Sequence, residues 1–125
     1  MKERRVHPRF DVILPANVTV GDNRVDGNIF DISMGGIQIG CDQASAAVIV
    51  PTPNQHVHPG ANLEAVVSFR CPGDDMRLTA NCRLVVSRRV SSNEFRIGLE
   101  FIEFGDDRQR QTYEAYIEER MAELA

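Results

Sequence analysis

The sequence predicts an all-β domain with a single helix at its C-terminus, and three observations carry that expectation. Short segments alternating apolar with polar residues recur between clusters of Gly, Pro, Asn and Asp, the pattern of strands joined by turns. The last segment changes period, with Tyr113, Tyr116, Ile117, Met121 and Leu124 at helical spacing. A chain of 125 residues with 42% hydrophobic content can bury one core and is too short for two ordinary domains.

The elements follow in order. Residues 1–12 form a basic arm expected to be flexible, in which Lys2, Arg4, Arg5 and Arg9 repel one another with few apolar anchors. Ile13 to Val20 reads as a strand in which Pro15, lacking a ladder donor, suits an edge, and Gly21-Asp22-Asn23 turns the chain. Arg24 to Ser33 is the next strand, Met34-Gly35-Gly36 breaks it, and Ile37-Gln38-Ile39 resumes the alternation. Asp42 to Gly60 carries Pro51, Pro53 and Pro59 and is expected to be the longest loop. Leu63 to Arg70, Met76 to Arg88 and Phe95 to Phe104 complete six strands, a barrel or sandwich over residues 13–104. Asp106, with Gln109 three residues on, resembles a capping box and opens a helix over 106–124 whose apolar stripe packs on the barrel or on a partner.

Composition removes several function classes. A net charge of −4 argues against binding a nucleic acid polymer, which needs a broad cationic surface to displace counterions. The aromatics are not interleaved with basic residues on one strand face, as a single-strand binder requires. No apolar run approaches the roughly 20 residues of a membrane span. Cys41, Cys71 and Cys82 are odd in number and widely spaced, which fits a reduced cytoplasm and buried thiols. His56 and His58 form H-x-H, but with His7 they lack a second paired ligand motif, so a metal site is not expected. No nucleophile–base pair and no glycine-rich phosphate loop is legible, so the chain reads as a receptor and not as an enzyme.

Two constellations remain. Arg5 and Arg9 stand four residues apart in Arg4-Arg5-Val6-His7-Pro8-Arg9, where Pro8 disfavours helix at His7. Alone the pair reads as a solvated tail, but each guanidinium can hold phosphate oxygens bidentately or stack on a base. The second is Asp31-Ile32-Ser33-Met34-Gly35-Gly36, a D-x-S-x-x-G pattern between two strands. Its plain reading is turn chemistry, with Asp and Ser bonding nearby backbone and glycine accepting positive φ. Its functional reading is guanine recognition. The Watson–Crick edge of guanine offers an N–H and an amino group side by side, and a carboxylate accepts from both, with Ser33 adding a hydroxyl contact and Gly36 permitting close approach.

Together, about twenty residues apart and separated by one strand, the R-x-x-x-R of Arg5 and Arg9 and the D-x-S-x-x-G of Asp31, Ser33 and Gly36 resemble the two signature motifs of the PilZ family in order and spacing. The resemblance continues through Arg96-Ile97-Gly98-Leu99-Glu100-Phe101 and the closing helix. It implies a six-stranded antiparallel PilZ-type β-barrel with a C-terminal helix that binds cyclic di-GMP and needs no cofactor. By that resemblance Arg5 and Arg9 hold phosphate and guanine, Asp31 and Ser33 read a guanine edge, and Gly35 and Gly36 shape the turn beneath. The chain has no Trp to stack on an exposed guanine, so Arg4 or Arg88 is the candidate replacement plane. Arg4, standing before the motif, leads us to expect two mutually intercalated cyclic di-GMP molecules per protomer. The expected output is an arm reordered by ligand and sensed by an unidentified protein partner. The alternative keeps the fold as a protein-interaction adaptor that does not bind the nucleotide.

Overall fold

The computed structural model describes residues 8–50 and 63–124. Six strands and two helices occur among them: β1 (Arg9–Val20), β2 (Asn23–Ser33), β3 (Gly36–Cys41), α1 (Gln43–Ile49), β4 (Glu64–Arg70), β5 (Arg77–Ser91), β6 (Glu94–Phe104) and α2 (Asp107–Glu123). All neighbouring strands are antiparallel, and their order β1-β2-β3-β6-β5-β4 closes into a barrel because β1 pairs with both β2 and β4.

Strand alternation builds the core. Ile37 and Ile39 of β3, Phe95, Ile97 and Leu99 of β6, and Val67 and Phe69 of β4 point inward and are buried, while the residues between them line the outer wall. Gly21 takes a φ of 61° in the β1–β2 turn, a conformation that penalises any side chain.

Three expectations change. Arg9 to Val12, assigned to the arm, are the first residues of β1, because Phe10 is buried in the core and Arg9 pairs with Ser33 across the ladder. Pro15 is on no open edge, since the barrel is closed. It stands one residue before the β1–β4 ladder begins at Ala16 and Phe69, so its missing amide interrupts no rung there. The segment expected to be loop from Asp42 contains α1. The Asp42 carboxylate accepts from the Ser45 amide at 2.8 Å, and Ala46 and Ile49, three apart, bury one face against the barrel. The rest of that expected loop, with Pro51, Pro53, Pro59, His56 and His58, falls outside the described residues.

The closing helix appears where its period placed it. Asp106 caps it by accepting from the Gln109 amide at 2.8 Å. The reciprocal half of the capping box is redirected: the Gln109 side-chain oxygen accepts from the Thr79 amide of β5 at 2.7 Å, tying helix to barrel. Tyr113 and Ile117 are buried, whereas Met121 and Leu124 of the anticipated stripe are exposed, Leu124 by 70%. Among the described residues no helix is long and apolar enough to cross a membrane.

Candidate functional site

The strands β1, β2 and β3 bring the end of one motif against the other. Arg9 opens β1 opposite Ser33, the last residue of β2, so its side chain reaches diagonally along the outer wall to Asp31, two residues back. Arg9 Nη1 lies 3.3 Å from Asp31 Oδ2, with side-chain exposures of 31% and 22%. A half-exposed pair like this contributes at most about 1 kcal/mol to stability. The other carboxylate oxygen, Asp31 Oδ1, is buried and has no hydrogen-bond partner among the described residues. An acceptor left so costs about 1–3 kcal/mol, which a ligand donor can offset.

Sequence spacing did not reveal that Asp11 of β1 stands directly opposite Asp31 and is exposed. Two carboxylates facing each other across a ladder repel. Arg9 moderates that repulsion, and a further cation or an N–H donor arriving here is favoured by both carboxylates.

Ser33 and the two glycines have work inside the protein. The Ser33 hydroxyl accepts from the Gly36 amide at 3.2 Å and donates to the Gly36 carbonyl at 3.4 Å, bracing the turn between β2 and β3. Its backbone carbonyl accepts from the Tyr113 hydroxyl of α2 at 2.6 Å. Neither Gly35 nor Gly36 has positive φ. Gly36 is required for another reason: a Cβ there would run into the Leu99 carbonyl of β6, so only glycine lets β3 lie this close. The Gly35 carbonyl accepts from the Phe101 amide at 2.9 Å and extends the same junction.

The remaining candidates are dispersed. Arg88 is exposed on β5, opposite Arg96 of β6, which is in turn opposite Gly40 of β3. Three strand spacings, roughly 14 Å, therefore separate Arg88 from the strand of Asp31. Arg4 and Arg5 lie outside the described residues, as does His7. Another guanidinium plane belongs to Arg96, whose carbon sits 4.3 Å from the ring centre of Phe30, the residue preceding Asp31. Gly40 makes room for that ring, since a Cβ there would come within 2.5 Å of it.

The cysteines are structural. Burial raises the thiols of Cys41 and Cys71 to about 11 and that of Cys82 to about 12, so each is neutral and unreactive near neutral pH. Among the described residues no three His, Cys, Asp or Glu side chains gather as metal ligands.

A family model for the PilZ domain matches residues 3–119. Solved structures of the same architecture include the Bacillus subtilis inhibitor of motility MotI/DgrA, at TM-score 0.69 and 15% identity, covering 99% of this chain and 54% of that one. The Borreliella burgdorferi PlzA protein in complex with c-di-GMP aligns at TM-score 0.61 and 11% identity, over 94% of this chain and 52% of that one. The PilZ domain of YcgR from Escherichia coli, with c-di-GMP, aligns at TM-score 0.65 and 13% identity, over 96% of this chain and 95% of that one. The chain thus spans about half the length of the first two and nearly all of the third. No curated protein matches it in sequence.

Proposed function

The chain belongs to the PilZ domain family, and on that premise we propose that it is a receptor for cyclic di-GMP, a binding protein with no catalytic step. One observation carries the reading. The Arg9–Asp31 pair joins the two motifs on the outer wall, and it leaves Asp31 Oδ1 buried without a partner among the described residues. The Asp31 carboxylate, with one oxygen for each donor, suits the paired N–H groups of a guanine edge, while Arg9, with Arg5 from the preceding segment, suits phosphate. Two of the structural relatives, PlzA and the YcgR domain, were solved with this nucleotide.

In this reading two intercalated cyclic di-GMP molecules occupy each protomer, with Arg4 contacting or stacking on the second. The ligand draws the segment carrying Arg4 and Arg5 across the barrel beside Asp11 and Asp31. The surface so remade is what a protein partner senses. Calorimetric titration of the whole chain with cyclic di-GMP tests the reading: saturable binding is expected, with two ligands per chain. One ligand at saturation overturns the intercalated pair, and absence of binding overturns the receptor in favour of the adaptor. Amide exchange tests the switch, since residues 3–7 should gain protection when ligand is added, and equal protection in both states overturns it.

A further inference from the structure

Gln38 lies on the outer wall in the middle of β3, between the buried Ile37 and Ile39. Its rung reads Asp31, Gln38, Gly98 and Val86 across β2, β3, β6 and β5. Gly98 offers no side chain, and a methyl of Val86 occupies the space where its Cβ would stand. Asp31 is therefore the polar side chain next to Gln38 on that rung. No hydrogen bond of the Gln38 amide occurs among the described residues, although the residue is only half-exposed.

We propose that Gln38 completes the guanine-reading edge by donating its side-chain amide to the guanine O6. The inference rests on the receptor reading above and adds a specificity-determining residue to its site. Directly opposite residues of an antiparallel pair have Cβ atoms about 5 Å apart, so Asp31 and Gln38 can address neighbouring atoms of one base edge. The guanine edge presents an acceptor, O6, and then two donors, the ring N–H and the amino group. A carboxylate only accepts, so Asp31 takes the donors and leaves O6 in need of a donor beside it, which an amide NH2 supplies. Arg9 holds Asp31 through Oδ2 from β1, and Gln38 stands on the other side of Asp31, on β3. An adenine edge puts a ring lone pair against Asp31, and the pair of readers rejects it.

The test titrates the wild-type chain, Gln38→Ala and Gln38→Glu with cyclic di-GMP, with thermal melts to establish that the outward-facing substitutions leave the fold intact. Gln38→Ala loses one neutral hydrogen bond and should bind about three- to tenfold more weakly. Gln38→Glu sets a carboxylate against O6 beside two existing carboxylates and should lose roughly thirtyfold or more. Variants that bind within about twofold of wild type overturn the role of Gln38 while leaving the receptor standing. A Gln38→Glu variant that binds no worse than Gln38→Ala overturns the donor role. A wild-type chain that does not bind at all overturns the receptor reading, and the Gln38 inference falls with it.

Discussion

The junction between α2 and the barrel and the outer wall around Asp31 meet at the end of β2 but follow opposite rules. At the junction the polar groups that tie and cap the helix have partners. Tyr113 donates to the Ser33 carbonyl, Gln109 accepts from Thr79, and Asp106 caps the helix. The Tyr113 ring also packs edge-on against Phe69 and Phe101, with centroids 5.9 and 5.0 Å away, and burial pushes its phenol well above the ordinary range. On the outer wall, two carboxylates face each other, and among the described residues neither the buried Asp31 Oδ1 nor the Gln38 amide has a hydrogen-bond partner. Unsatisfied polar groups are costly and uncommon in folded proteins, and their concentration at one place among the described residues is what the proposed receptor reading accounts for.

The contrast divides the D-x-S-x-x-G motif itself. Ser33 and Gly36 belong to the satisfied region: one braces the turn, the other lets β3 meet β6, and the turn is tied to α2 through the Ser33 carbonyl. Asp31, two residues earlier, belongs to the unsatisfied one. In the proposed receptor the spacing of the motif has a mechanical sense, because a turn braced just after Asp31 would fix where its carboxylate stands before ligand arrives and so reduce the ordering cost of binding.

The sharpest way to break this division is Asp31→Ala. It removes the unpartnered oxygen and the repulsion with Asp11, so stability should hold or rise slightly in a urea melt. Cyclic di-GMP binding should fall about ten- to a hundredfold, the worth of charge-assisted contacts of roughly 1.5–3 kcal/mol. Wild-type-like titration by the folded variant would remove Asp31 from the site. Tyr113→Phe should do the reverse. It leaves the buried Ser33 carbonyl without its donor, at a cost of about 1–2 kcal/mol in the urea midpoint, while affinity stays within about threefold. A folded Tyr113→Phe chain that loses affinity as severely as Asp31→Ala would mean that the two regions are one cooperative unit.

How much of this was legible in the sequence depends on the range of the interactions. The six strands, the closing helix and its Asp106 cap follow from local alternation and short-range hydrogen bonding, and the chain shows all of them. The helix α1 was hidden because seven residues give too few repeats to reveal a period, and the prolines from Pro51 onward coloured the whole segment as loop. Asp31 and Arg9 were identifiable because the motif spacing carries them. Asp11 and Gln38 were not, since they reach Asp31 only through cross-strand register, and that register shifts at irregularities between Asp11 and Leu14 and between Ile29 and Asp31. Linear spacing also does not show that β6 and β3 stand between Arg88 and the strand of Asp31, or that Arg96 stacks on Phe30.

The smallest effect, and the one that best locates the boundary between the two regions, is expected of Ser33→Ala. The residue is 7% exposed, and its hydroxyl both accepts from and donates to Gly36, so little of it faces a ligand. At 3.2 and 3.4 Å these bonds are long, and their loss should cost about 0.5–1.5 kcal/mol in a urea melt. Affinity should then fall only through looser placement of Asp31, by about two- to fivefold, and a tighter turn should restore it. Ser33→Thr supplies the control, because it keeps the hydroxyl but adds a methyl at a buried position. If Ser33 acts as a brace, Ser33→Ala and Ser33→Thr should order affinity in the same way as they order stability. If Ser33 instead reads the guanine edge directly, Ser33→Ala should lose tenfold or more in affinity, the fold being little disturbed, beyond what one lost neutral bond in the turn explains. That outcome would move Ser33 from the satisfied region to the binding wall and leave Gly36 alone as the structural half of the motif.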